Sequence, residues 1–141
     1  MKKLLAILLL AIMLTCTLAS CQRINTNPIK ATADLAASSS YYVEYYVDKE
    51  DIDWFAEEYK LTLSNISCIA FIWGVSDRTD GHGAVVFFTK TVATAKNLEP
   101  RLLNSADFMD EIEEESNNKY VCVREGKTVF IGSQAILDLL K

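Results

Sequence analysis

The chain has 141 residues, 50% hydrophobic and 23% charged, a globular balance with room for one domain. Lys2 and Lys3 are its only charges before Arg23, so from Cys21 onward twelve basic residues face nineteen acidic ones, a net charge of −7. That deficit argues against a nucleic-acid binder, which needs clustered Lys and Arg to neutralise phosphates, and an anionic lipid surface should repel such a domain as a whole.

Residues 1–20 have the order of a secretory signal: two lysines, the unbroken apolar run Leu4–Leu14, then the small and mildly polar stretch Thr15–Ser20. Eleven apolar residues are too few to cross a hydrocarbon core of about 30 Å as a helix. Leu18, Ala19, Ser20 and Cys21 come next. This tetrad resembles the lipobox of bacterial lipoproteins, in which Leu, a small residue and Ala, Ser or Gly precede an obligate Cys. The resemblance covers residues 1–21. It implies that diacylglycerol alkylates the Cys21 thiol, that cleavage falls before Cys21, and that the protein is extracytoplasmic, anchored by lipid to the bacterial cell membrane. Gln22 is not the Asp that resembles an inner-membrane retention signal, which in a diderm host leans towards the outer membrane. Two or more acyl chains anchor stably where one does not, each buried methylene adding about 0.8 kcal/mol. Cys16 leaves with the leader and Cys21 is consumed by lipid, so Cys68 and Cys122 are the cysteines left to the domain. Export permits a disulfide between them; their apolar surroundings suit two buried thiols equally well.

Residues 22–40 are rich in Thr, Asn, Ala and Ser without an apolar period, and read as a flexible tether with a helical turn near Ala31–Ala37. Fully extended, that tether reaches roughly 60 Å. "YYVEYYV" (41–47) is a β-branched and aromatic strand. Asp48 then stands at a helix N-cap, with Asp51 completing a weakened capping box, and Ile52, Phe55, Ala56 and Tyr59 mark one helical face. "ISCIAFIWGV" (66–75) is apolar on both faces, as in a buried strand, and "AVVFFT" (84–89) returns from it as a hairpin. Residues 90–116 are helical in composition, and Pro100 predicts a kink or two helices. "KYVCVR", the turn Glu125-Gly126-Lys127 and "TVFIG" predict a second hairpin, and Ser133 a cap for a last short helix.

The order β-α-β-β-α-β-β-α predicts an α+β fold, a two-layer sandwich whose first six elements match the ferredoxin-like split βαβ pattern, with an added strand and short helix. The strand order usual for that pattern puts the second and fourth strands at opposite edges, where Cys68 and Cys122 cannot bond.

Candidates for chemistry are few. Asp77, Asp80 and His82 share the first hairpin loop, and two carboxylates with an imidazole suit a divalent metal. Asp and Gly are also plain turn residues, and a catalytic zinc needs three ligands held rigidly. Gly126-Lys127-Thr128 imitates the end of a phosphate-binding loop, but Val121 stands where its first glycine belongs and a strand comes after it. His82 is the sole histidine and no G-x-S-x-G elbow exists for it. The acidic run Asp110, Glu111, Glu113, Glu114 and Glu115 lacks the spacing and central glycine of an EF-hand loop and reads as a solvated helix end. Tyr42, Glu44 and Tyr46 alternate onto one face of the first strand, Tyr41, Val43, Tyr45 and Val47 onto the other. The first set is a candidate contact patch, or else cross-strand packing.

The sequence therefore predicts a small lipid-anchored binding domain that uses no cofactor, whose partners are the membrane, through its lipid, and a protein or other envelope component. Two alternatives are a metal-dependent or hydrolytic enzyme built on the Asp77–His82 loop and an accessory subunit of an envelope complex. If the lipobox reading holds, Cys21→Ala abolishes acylation and moves the domain from the membrane to the soluble fraction; retention of that variant by an uncleaved leader would contradict it.

Overall fold

The computed structural model describes residues 23–141; the leader, Leu18, Ala19, Ser20 and Cys21 lie outside the described residues. Five strands form one antiparallel sheet: β1 (Tyr41–Tyr46), β2 (Ile66–Gly74), β3 (Gly83–Thr89), β4 (Val121–Glu125) and β5 (Thr128–Gly132). Their spatial order is β1-β2-β3-β5-β4. The fold is the α+β sandwich expected from the sequence. Among the described residues no helix is long and apolar enough to cross a membrane.

The main helical layer consists of α2 (Lys49–Glu58), α3 (Val92–Leu103) and α4 (Ala106–Glu115). Phe55 of α2, Ala95, Leu98 and Leu102 of α3, and Phe108, Met109 and Ile112 of α4 pack on Val85 and Phe87 of β3 and Val129 and Ile131 of β5. The opposite face is closed by α1 (Pro28–Ala37) and α5 (Gln134–Leu140). Here Leu35, Ile136, Leu137 and Leu140 meet Ala70, Ile72, Val86, Phe88 and Phe130. Strand alternation sorts the two sets, since successive side chains of β3 point to opposite faces.

The ferredoxin-like pattern is kept in element order and only partly in arrangement. β3, the α3–α4 pair and β4 form one split unit: β3 and β4 run the same way with β5 inserted between them. β1 and β2 instead pair directly and antiparallel, Tyr42 opposite Trp73 and Tyr46 opposite Ile69. The ten residues of α2 and the loop after it return the chain to the end of the sheet that it left, so β2 runs back beside β1. The edges are consequently β1 and β4, and β2 lies inside.

Residues 24–40 are not the flexible tether that their composition suggests: they are folded onto the sheet. Asn27 caps α1 by accepting from the Lys30 N–H, and Pro28 opens the helix where its missing donor costs nothing. Ala31, Thr32 and Leu35 are buried against the sheet, and the Thr32 hydroxyl bonds that of Tyr45. Ile24 is only 3% exposed, and its N–H donates to Glu125 Oε2 at 2.7 Å. The sequence predicted only a helical turn near Ala31–Ala37, because Ala31 and Leu35 alone give this helix an apolar stripe.

Residues 90–116 do form two helices, yet Pro100 stays inside α3 and the break comes at Asn104–Ser105. Ser105 makes it. Its hydroxyl donates to the Tyr59 carbonyl at 2.9 Å, tying α4 to the end of α2, and accepts from the Phe108 N–H at a long 3.4 Å. Asp48 and Ser133 stand at the expected N-cap positions without a side-chain cap bond, so the Asp48–Asp51 capping box does not form. The β4–β5 hairpin turns on Gly126 and Lys127, with Gly126 at φ 56, a left-handed backbone that favours glycine at the first central position.

Ser105→Ala removes both the cap and the link to Tyr59, and should lower unfolding stability by about 1–2 kcal/mol in urea titrations; a loss below roughly 0.5 kcal/mol would contradict the role given to that hydroxyl.

Candidate functional site

β1 is an edge strand whose two faces have different fates. Tyr41, Val43 and Tyr45 pack against the core beneath α1, while Tyr42 and Glu44 are exposed on the other face. Tyr46 shares that second face but runs under α2, where its ring lies 5.8 Å from Phe55 and 6.1 Å from Trp54. Among the described residues no helix covers the rest of the strip. Tyr42 is 51% exposed and its ring packs 4.5 Å from Trp73, directly across the strand pair. Trp73 in turn meets Phe71 edge-on at 5.2 Å, and Phe71 stands opposite Glu44. Trp54, 53% exposed on α2, closes the strip at the Tyr46 end.

Glu44 is the charge at the centre. It accepts from the Tyr46 hydroxyl at 3.2 Å. Burial, and then the neighbouring Glu44 charge and this hydrogen bond, push the Tyr46 phenol up to about 12. Tyr46 therefore stays protonated as a donor throughout the neutral range and holds the carboxylate in place. The result is an aromatic surface around one oriented anion. Such a surface suits contact with another macromolecule. Sequence reasoning found Tyr42, Glu44 and Tyr46 but not their companions Phe71 and Trp73. The missing information was the direct β1–β2 pairing.

The Asp77–His82 loop lies at the end of the sheet where β1 begins. Thr79 pins it: the buried hydroxyl donates to the Ser40 carbonyl at 2.7 Å and accepts from the Ser76 N–H at 3.2 Å. His82 Nδ1 sits 3.1 Å from the Tyr41 hydroxyl, while Asp77 and Asp80 are exposed. The pinning does not turn the three side chains into a ligand set. Among the described residues no three His, Cys, Asp or Glu side chains are gathered as a metal requires.

What the loop does meet is the acidic run of α4. Asp80 and His82 share a hollow of about 280 Å³ with Glu114, Glu115 and Asn117. Burial first, and then Glu114 and Glu58, raise the Glu111 carboxyl above its usual range. Glu115 is raised by burial and by Glu111, Glu114 and Asp80. These acids crowd one another at a helix end without an ordered set of ligands.

Among the described residues Cys68 and Cys122 are free thiols. Cys68 belongs to the core beneath α1 and α5, whereas Cys122 packs against the opposite core. Three strand spacings separate β2 from β4, roughly 14 Å, well beyond the reach of a disulfide. Burial pushes both thiols up to about 11, with Glu99 adding to the effect at Cys122, so neither is a ready nucleophile.

Comparison with protein-family models, with curated proteins and with solved structures gave no match. The geometry of the strip therefore carries the functional reading by itself.

A carboxyl whose folded-state value is raised binds its proton more tightly folded than unfolded, so its contribution to stability falls as pH rises through that window. Glu115→Gln should therefore raise the melting temperature at pH 7, and the gain should shrink as pH falls towards 4, where wild-type Glu115 is itself protonated. Thermal melts of both proteins across this range check it; a variant less stable at pH 7 than at pH 4, relative to wild type, would contradict the crowding described.

Proposed function

We propose that this chain is a bacterial lipoprotein, held outside the cytoplasm by lipid on Cys21, whose domain binds a protein of the cell envelope through the strip of Tyr42, Glu44, Tyr46, Phe71, Trp73 and Trp54. The supporting observation is the uncovered strip itself: exposed Tyr and Trp rings on a rigid sheet, around a carboxylate oriented by Tyr46. Tyr and Trp are the side chains that most often dominate protein interfaces, because they bury much area at little entropic cost. The partner's chemistry follows from the same residues. Its surface presents apolar groups to the rings and a Lys or Arg to Glu44, in keeping with a domain of net charge −7 from Cys21 onward. The role is recognition without bond making.

A photo-crosslinking amino acid placed at Tyr42, in the acylated protein in its own envelope, should trap one discrete protein adduct. The same group at Asp138, on the opposite face of the sheet, should not give it. Trp73→Ala should weaken binding of the trapped partner by about thirtyfold, the effect of losing roughly 2 kcal/mol at an interface centre. Identical adducts from both positions, or undiminished binding by Trp73→Ala, would overturn the assignment of the strip.

A further inference from the structure

The domain is docked almost up to its anchor. The last exposed residue before the fold is Arg23; Ile24 is buried, and its N–H is fixed to Glu125. On the reading that Cys21 carries the lipid, on which this inference rests, only Gln22 and Arg23 separate the acylated residue from the folded domain. Three residue steps span at most about 11 Å. One headgroup layer is about 5–8 Å thick, given a bilayer of about 40–45 Å around a core of about 30 Å, so the fold starts within a few ångströms of its outer limit. A tether of the length that residues 22–40 suggest by composition does not exist, because α1 has used it to cover the sheet.

The attachment point is one end of the sheet, and the strand pairings show what else lies there. Ile24 meets Glu125 at the end of β4. Lys141, at the end of α5, reaches the same carboxylate at 3.7 Å. Lys127 stands next to it in the β4–β5 turn, and its carbonyl accepts both the N–H and the hydroxyl of Thr89 at 2.8 Å, which places Lys90 alongside. Arg23, Lys90, Lys127 and Lys141 are all exposed. Glu125, the acid between them, is occupied by the Ile24 N–H and by Lys141, while Glu99 is paired with Arg124 and Asp138, one turn before Lys141, accepts from Gln134. The same end of the sheet also holds Asp48, Glu50, Asp51 and Asp53, but at the start of α2 beside β1, the far edge from β4. Asp77 and Asp80 occupy the opposite end, with Glu114 and Glu115 beside Asp80.

We infer that the β4–β5 corner, with Arg23, Lys90, Lys127 and Lys141, rests against the phospholipid headgroups, and that the short link fixes the domain's orientation on the bilayer. The domain as a whole is acidic, yet this corner is locally cationic and can face lipid phosphates, while its acidic edge and its acidic far end turn away. Tyr42 and Trp73 pair near the far end, one step from the Tyr41–Gly74 pair. The Tyr42–Trp73 part of the strip is then presented outward to a partner, while Tyr46 and Trp54 lie at the near end, on the β1 edge away from the corner.

The test uses the full-length acylated protein in vesicles of phosphatidylcholine and phosphatidylglycerol that carry spin-labelled headgroups. A fluorescent amino acid replaces Lys127 in one sample and Asp80 in another. Quenching should be several-fold stronger at position 127. A Gly/Ser insert of about twenty residues after Gln22, with a mean reach of roughly 25 Å, should remove most of that difference while leaving the protein bound to vesicles. Equal quenching at both positions in a protein that carries the acyl mass and floats with the vesicles would overturn the inference alone. A protein with no acyl mass on Cys21 and no flotation would overturn the lipoprotein reading and this inference with it.

Discussion

β3 has no face left for water. All seven of its residues are buried, Ala84, Val86 and Phe88 towards one core and Val85 and Phe87 towards the other. Burying a Phe or Val side chain stabilises by about 1.5–3 kcal/mol, so the chain gains only if both faces are covered. Three helices between β1 and β4 cover one of them. The other is left to the segments before β1 and after β5, which are α1 and α5. That demand explains why a segment with so few large apolar side chains as residues 28–37 is helical and docked: Leu35 and Ala31 supply little apolar area, but the surface beneath them cannot be left wet. Isolated helices of this length are marginal in water, so α1 depends on the sheet as much as the sheet depends on it.

Much of this was legible in the residues. The strands, the two hairpins and α2 could be placed to within a residue or two, because alternation, turn glycines and the Ile52–Phe55–Tyr59 stripe are strong local signals. The α+β class came from their order. Three things were not legible. The strand order depends on how α2 and its loop return the chain, which is a property of packing and leaves no local mark on the sequence. α1 has a clear start in Asn27-Pro28 but almost no stripe. The aromatic strip needed the β1–β2 register, since Tyr42 and Trp73 are far apart in the chain and meet only through that pairing. One signal was available and points to α1: "AVVFFT" and "TVFIG" are apolar at both parities, and such strands need helices on both sides.

The distribution of charge and aromatic surface has its origin in the same arrangement. β1 is an edge because β2 pairs with it directly, and α2 covers only the Tyr46 end of its face. Of the remaining rings Tyr42 stays exposed, Trp73 is half-buried between Tyr42 and Phe71, and Phe71 packs against the main core. An edge strand with exposed aromatic side chains is a hazard for self-association unless something masks it, and Glu44 at its centre is the kind of charge that discourages a second copy from pairing there. The cationic β4–β5 corner lies at the other edge of the sheet. On the proposed anchor and binding strip, such a domain would hold a partner at a set distance from the membrane.

The fold requires α1 to be a working part of the domain and not a loose leader to it. Hydrogen exchange of the native protein measures this directly, through the amides of Ala31 to Leu35. Protection within about tenfold of that of the β1 amides is the predicted result, since local opening of α1 would then cost nearly as much as opening the sheet edge that it covers. Exchange at the rate of an unstructured peptide, with β3 still fully protected, would contradict it.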